Sequence, residues 1–379
     1  MKRVLALTVL AVVAPALPAR AATLPRAELR AALEEARDEQ GIPAVSAAVV
    51  QNGRVTWTAA IGRAVDPDGV DARTGRRTAR RTRRATTATR FSLASASKTY
   101  TAALVLKLVD AGAVGLDDPL ARWAPTIPGA DTVTVRMLLN HTSGYPDVEN
   151  SAALTPFFDL TDQFDPNRPW TRAEVLSHQA GPQWTPGSKY QYSNSNYLLL
   201  GEVLERAGGL SPDAALQRQL ATPLGLRETT YATRPGLPRK MARGYEWFSE
   251  RYNDHWAGAT GVPTDIIGPV WTDGGVVTTA REVARFFDAL NRGKLLAPAT
   301  FMAMLTPSPQ SGSDLYGLGT YRYTEAGRTW QGHDGNYGGY QSQVFTDRRA
   351  KLTVAVLTNT DGEAAETAFS ALADVLDPR

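Results

Sequence analysis

The chain has no cysteine in its 379 residues, which removes disulfide cross-links, thiol nucleophiles and thiolate metal sites from consideration. Histidine is nearly as scarce. The four present, His141, His178, His255 and His333, show no H-E-x-x-H or comparable ligand spacing, so no metal and no cofactor are expected. Beyond the first twenty residues or so, no apolar run approaches the ~18 residues that a membrane span requires. An excess of charge of one sign is missing too. Setting aside residues 1–22 removes Lys2, Arg3 and Arg20 and no acid, so 41 Lys+Arg fall to 38 against 38 Asp+Glu. A neutral chain has no general attraction for nucleic acid.

The first residues carry an address. Met1-Lys2-Arg3 is followed by apolar Val4 to Leu17 and then by Ala19-Arg20-Ala21, a small-x-small cleavage pattern. Residues 1–22 therefore read as a signal peptide, and 23–379 as a protein secreted to the exterior or the cell wall with no transmembrane anchor. Positive charge is concentrated instead of spread. Residues 73–90 hold Arg73, Arg76, Arg77, Arg80, Arg81, Arg83, Arg84 and Arg90 with no acid. This reads first as a solvated loop, with a patch for an anionic cell-wall polymer or phosphate as the alternative; without interleaved aromatics it does not read as a nucleic-acid site.

Periodicity divides the chain into interleaved segments. Ala27 to Asp38 reads as an amphipathic helix, and Ala44 to Gln51 and Arg54 to Ile61 as strands joined by an Asn52-Gly53 turn. Helical and loop patterns dominate from Gly115 to Val270. Thr279 caps a helix to about Asn291, strands return between Tyr316 and Thr358, and Glu363 to Leu376 closes the chain as a helix. The expected fold is α+β, an α/β sandwich. A five-stranded antiparallel sheet from 23–114 and 271–379 is flanked by helices, with an all-helical lobe, 115–270, inserted. A monomer is expected.

Three segments carry chemistry. Ser95-Ala96-Ser97-Lys98 opens an apolar helix, so a hydroxyl and an amine lie one turn apart on one face, near the free N–H groups of the helix start. That suits a serine nucleophile whose proton the amine can shuttle. Tyr192-Ser193-Asn194 sits in a polar loop after a Pro-Gly turn. Tyr192 and Asn194 point the same way in an extended loop, and an ammonium beside Tyr192 would lower its pKa until a phenolate could accept the serine proton. Gly332-His333-Asp334-Gly335-Asn336 falls between strand-like runs. There His333 offers an imidazole, and the N–H of Asn336 a second oxyanion donor beside that of Ser95. Trp247, Trp256 and Trp271 are candidates for an aromatic pocket, with core packing as the plainer reading.

In this order the three motifs, S-x-S-K, Y-S-N and H-x-G, resemble the penicillin-recognising serine hydrolases. The likeness is to the branch holding class C β-lactamases, Streptomyces-type D-Ala-D-Ala carboxypeptidases, D-aminopeptidases and related esterases. Val135 to Gly144 and Asp273 to Thr279 are similar to further stretches of that branch, and the likeness runs from about Leu29 to Leu376. The resemblance implies that Ser95 is acylated, Lys98 and Tyr192 handle its proton as a coupled pair, and Asn194 holds the substrate carbonyl. It also implies that His333 replaces the lysine of a K-T-G motif.

Two departures bear on the substrate. His333-Asp334-Gly335 has an acid where Thr, Ser or Gly is usual; on a strand Asp334 is expected to point away from the pocket that His333 enters. In Tyr316-Gly317-Leu318-Gly319-Thr320-Tyr321-Arg322-Tyr323, Arg322 falls one residue later than the carboxylate-gripping arginines of the carboxypeptidases, and one residue on a strand reverses the face. The expected activity is that of a D-Ala-D-Ala carboxypeptidase-like, penicillin-binding enzyme on small peptides. An esterase, D-aminopeptidase or class C-like β-lactamase with an ester, amide or β-lactam substrate is the alternative, and a non-catalytic penicillin- or wall-binding protein the second. The expected site is Ser95, Lys98 and Tyr192 for catalysis, with Asn194, His333, Gly335, Asn336, Trp271 and Arg322 around the substrate.

Overall fold

The computed structural model describes residues 24–65, 82–154, 171–232, 240–248, 251–254, 267–325, 327–360 and 362–377. Residues 1–22, expected to be a signal peptide, Trp256, and Arg73, Arg76, Arg77, Arg80 and Arg81 lie outside the described residues, as does the side chain of Trp247.

Alternation in the terminal segments builds the central sheet. Strand β1 (Ala44–Gln51) is buried along nearly its whole length because both its faces are covered. Val45, Ala47 and Val49 pack into one apolar cluster, and Ala44, Ala48 and Val50 into another. Asn52 and Gly53 follow with φ of 54° and 81°, the double positive φ of a tight hairpin, and lead into β2 (Arg54–Val65). With β3 (Arg83–Arg84), β4 (Tyr321–Glu325), β5 (Arg328–Tyr337), β6 (Tyr340–Asp347) and β7 (Leu352–Thr358), they form an antiparallel sheet ordered β3-β2-β1-β7-β6-β5-β4. The two ends of the chain meet at the β1–β7 pair, where Val45 lies opposite Thr358.

The sheet has seven strands where five were expected. The additions sit at the edges: β3 is two polar residues too short to show a period, and β4 is continuous in sequence with the Gly-rich run before β5. Arg83 and Arg84, expected in a free basic loop, are instead paired to the β2 edge, and the Arg83 guanidinium donates to the backbone carbonyls of Lys240 and Met241.

Helices cover both faces. On one side α1 (Arg26–Glu39) and the terminal α6 (Ala364–Val375) bury Leu29, Leu33, Phe369 and Leu372 against Trp330 and Phe345 of the sheet. On the other, α2 (Ser97–Asp110) and α5 (Ala280–Asn291) meet through Tyr100 and Phe286, stacked at 3.7 Å between centroids. Thr279 caps α5 by accepting the Glu282 N–H at 3.3 Å.

The inserted lobe is not all-helical. Beside helices that include α3 (Asn194–Gly208), it holds strands Thr230–Tyr231, Tyr245–Phe248 and Arg251–Asp254. Helix α4 (Ile267–Gly274) runs across the boundary placed at 270. Strand Val276–Thr278 pairs with both Phe91–Ser92 and Thr230–Tyr231, so a small second sheet ties the lobe to the segment that enters α2.

The Tyr100–Phe286 stack is fully buried. Phe286→Ala should lower unfolding free energy by about 3–5 kcal/mol, the usual result of emptying an aromatic site, measured by denaturant titration; a change under about 1 kcal/mol would show that the α2–α5 seam carries little stability.

Candidate active site

Ser95 is turned out of the core by a tight, strained bend. It is the middle residue of a 3₁₀ turn, Ala94–Ala96, that runs directly into α2. Buried Ala94 adopts a left-handed φ of 46°, which costs an alanine about 1–2 kcal/mol. Neighbours hold the bend in place: the Leu93 N–H donates to the Val276 carbonyl at 2.9 Å, and the Ser342 hydroxyl donates to the Leu93 carbonyl at 2.7 Å. Strand β5 runs against this turn at Gly335, where a Cβ would stand 2.2 Å from the Leu93 carbonyl oxygen and 2.7 Å from the Ser95 nitrogen. Only glycine allows that approach. The pairing of β5 with β4 ends at Gly332, so the edge from His333 onward faces the Ser95 turn, not another described strand.

Lys98 follows one turn into α2 and is fully buried. Its Nζ donates to Ser95 Oγ at 3.1 Å, to Asn194 Oδ1 at 2.7 Å and to the Asp273 carbonyl at 3.3 Å, with the Asp273 carboxylate 3.6 Å away. Burial pulls the amine's pKa down, but Tyr192, Asp273 and Glu149 outweigh it and hold Lys98 above its ordinary value. At rest it is an ammonium with all three protons donated, so it has no lone pair to offer Ser95.

Tyr192 lies beside this ammonium, its ring centroid 5.0 Å from Nζ. Its phenolic oxygen is closed to solvent and faces Ser95 and Lys98 without a hydrogen bond of ordinary geometry to either. The expected lowering of its pKa is overturned. Burial pushes the phenol up by more than Lys98 and Ser95 pull it down, so Tyr192 rests protonated. The ring stacks on His141 at 4.2 Å, and His141 Nδ1 accepts from the Ser193 N–H and from Asn196 Nδ2, fixing the loop that carries Tyr192.

Asn194 was expected beside the substrate, in an extended loop. It is instead the first residue of α3, and both ends of its amide are taken: Oδ1 by Lys98, Nδ2 by Glu149 Oε2 at 2.7 Å. It orients Lys98. Behind it, burial pushes Glu149 well above the usual carboxylate range, helped by Asp273 and Asp147, and pushes Asp273 up to about 7 against the pull of Lys98.

One cavity of about 400 Å³ opens over this cluster, lined by Ser95, Tyr190, Tyr192, Asp314, Tyr316, Tyr321, His333, Asp334, Gly335 and Asn336. His333 Nδ1 donates to the Asp334 carbonyl at 2.6 Å and Nε2 accepts from the Tyr316 hydroxyl at 3.0 Å. Burial pushes its pKa down to about 4, so it is a neutral imidazole near pH 7. Asp334, expected to turn away, lines the cavity as well. Past Gly332 no described strand covers β5 on that side, and the carboxylate accepts the Tyr321 hydroxyl at 2.9 Å.

Two expected residues do not reach the cavity. Alternation on β4 turns Tyr321 inward and leaves Arg322 exposed, where it lines a separate depression with Arg328, Arg348 and Arg349. Trp271, on α4, packs in a satellite core with Val148, Leu154, Val175 and Leu198 under the guanidinium of Arg172. Glu149, His141, Tyr190, Asp314 and the tyrosines at 316 and 321 were not singled out from sequence. Tyr316 and Tyr321 lay in a quoted stretch, but only the fold distinguishes an inward tyrosine from a packed one.

The arrangement of nucleophile, amine and phenol joins other findings. The family model for beta-lactamase matches residues 29–377. The chain belongs to the beta-lactamase family of serine hydrolases. It is 28% identical over 293 residues to penicillin-binding protein 4* of Bacillus subtilis, a match covering 71% of this chain and 60% of that protein. It is also 28% identical to esterase EstB of Burkholderia gladioli, covering 88% of this chain and 90% of the esterase. Among solved structures, a D-stereospecific amidohydrolase from Streptomyces superposes with a TM-score of 0.72 at 27% identity, covering 91% of this chain and 98% of that one. In this chain β5 lies tight on the Ser95 turn at Gly335. Gly335→Ala should therefore cut acylation of Ser95 by at least about 100-fold, as an ångström-scale displacement does, read by labelling with a fluorescent penicillin or ester. Undiminished labelling would mean the strand can retreat harmlessly.

Proposed function

We propose that the protein is an exported serine acyl-transfer hydrolase that forms an acyl-enzyme on Ser95 from small esters, amides and peptides, with penicillins among its acylating agents. The observation that carries this reading is the Lys98 ammonium, held between Ser95 Oγ and Asn194 Oδ1 and beside Tyr192. Export is supported by the charged and apolar start of the chain.

The reactive form has one proton fewer than the resting one, missing from the Lys98–Tyr192 pair. In that form the pair accepts the Ser95 proton as Oγ attacks the carbonyl carbon. The negative oxygen then meets the N–H groups of Ser95 and Asn336. As the C–N or C–O bond breaks, Tyr192 passes the proton to the leaving group, and the acyl group stays on Oγ. Water, losing a proton to the same pair, attacks the ester carbonyl; as the C–Oγ bond breaks, the pair returns that proton to Oγ and the acid leaves. Asp273, 3.6 Å from Lys98 Nζ, favours the positive charge whenever Lys98 is protonated.

Among the finer readings, ester and amide hydrolysis is favoured over carboxypeptidase action. A peptide carboxylate needs a cation in the cavity, and Arg322 faces elsewhere while Asp334 occupies the wall.

Hydrolysis of a p-nitrophenyl ester should vanish in Ser95→Ala and fall at least about 100-fold in Lys98→Ala and in Tyr192→Phe, the size of a general acid–base contribution. Background turnover equal in wild type and Ser95→Ala would end the reading. The pH profile follows from the two upward shifts: both groups hold their protons above their ordinary range, so the reactive form grows as pH rises. After subtraction of the Ser95→Ala blank, kcat/KM should climb from pH 6 to 9. A maximum below pH 7 with a fall on the alkaline side contradicts it.

A further inference from the structure

The charge of the cavity wall goes beyond the reaction just described. Among the described residues that line it, the charged ones are Asp314 at the rim and Asp334 beside the nucleophile; no Lys or Arg lines it. Lys98 lies beneath Ser95 with the Asp273 carboxylate 3.6 Å away to offset its charge. His333 is neutral and already bonded at both ring nitrogens.

The rest of the wall is aromatic. Tyr190 and Tyr316 have ring centroids 5.9 Å apart, Tyr192 and Tyr316 6.2 Å, and Tyr316 and Tyr321 6.2 Å, so the four rings form a continuous surface around the opening. Burial raises the pKa of each phenol, Asp314 and Asp334 acting in the same direction on Tyr190, and Asp334 on Tyr321. The rings stay uncharged and line the opening. Neutral aromatic faces with carboxylates between them attract an organic cation and repel an anion.

We propose that this site selects acyl substrates carrying a cationic ammonium group, with Asp334 as the main specificity-determining residue and Asp314 as a weaker one at the rim. The inference rests on the acyl-transfer reading of the same cavity. Asp334 is the stronger because its carboxylate is fixed by the Tyr321 hydroxyl at 2.9 Å and is less than half exposed, whereas Asp314 is exposed and screened by water.

The test uses three p-nitrophenyl esters of matched length: 4-(trimethylammonio)butanoate, its carbon isostere with C in place of N⁺, and the glutarate monoanion. In wild type, kcat/KM should favour the cation over the isostere by about tenfold, the size of one charge-assisted contact, with the monoanion poorest. Asp334→Asn should lower the cation-to-isostere ratio about tenfold and Asp314→Asn about threefold, and 0.5 M salt should shrink the wild-type ratio. A wild-type ratio near one, or a ratio unchanged in Asp334→Asn, overturns the proposal. Calorimetry with the Ser95→Ala protein separates it from the hydrolase reading. The intact cationic ester should bind about tenfold tighter than its isostere whether or not wild type turns either over; equal or weaker binding of the cation sinks the selectivity even if esters are hydrolysed.

Discussion

A buried ammonium needs three acceptors, and Lys98 finds one nearby and two far along the chain: the serine one turn before it, the amide that opens α3, and the backbone and carboxylate at the end of α4. Everything else in the site is arranged around that requirement. An unpaired charge in so dry a place would cost several kcal/mol, so the fold has to bring Asn194 and Asp273 to Lys98 whenever it forms. The same contacts that stabilise the charge also aim the amine at Ser95. Stability and reactivity are therefore coupled here through one side chain.

The second constraint is steric. Strand β5 runs past the Ser95 turn with glycine at the contact, which sets its backbone directly beside that residue. The sheet exists in part to hold that strand. Its pairing with β4 covers the first half of β5 and stops at Gly332, leaving the second half to face the nucleophile. The left-handed Ala94, gripped from Val276 and Ser342, is the matching distortion on the other side of the contact.

The cavity's chemistry then comes from its walls. Four phenols, a neutral imidazole and two carboxylates line the cavity with Ser95, and Arg322, expected beside the substrate, lies on the opposite face of β4. The buried ammonium is held by α2, α3 and α4, whereas the cavity wall is drawn from β4, β5, the loop before α3 and the segment before β4.

Read alone, the amino-acid sequence determined the pieces whose physics is local. The Asn52-Gly53 hairpin, the Thr279 cap, the alternation of the terminal strands and the Ser95–Lys98 pair one helical turn apart all depend on neighbours within a few residues. The order of the three motifs added the family. Tertiary structure alone decided what depends on distant partners. Burial overrode the ammonium and left Tyr192 protonated; Lys98 and Glu149 claimed both ends of Asn194; Trp271 went to a core and Arg322 to the far face. Asp334 lines the cavity where the pairing of β5 with β4 has stopped, at Gly332. None of these follows from spacing, because the dielectric around a phenol and the place where a strand loses its neighbour are set by partners that local periodicity does not reach.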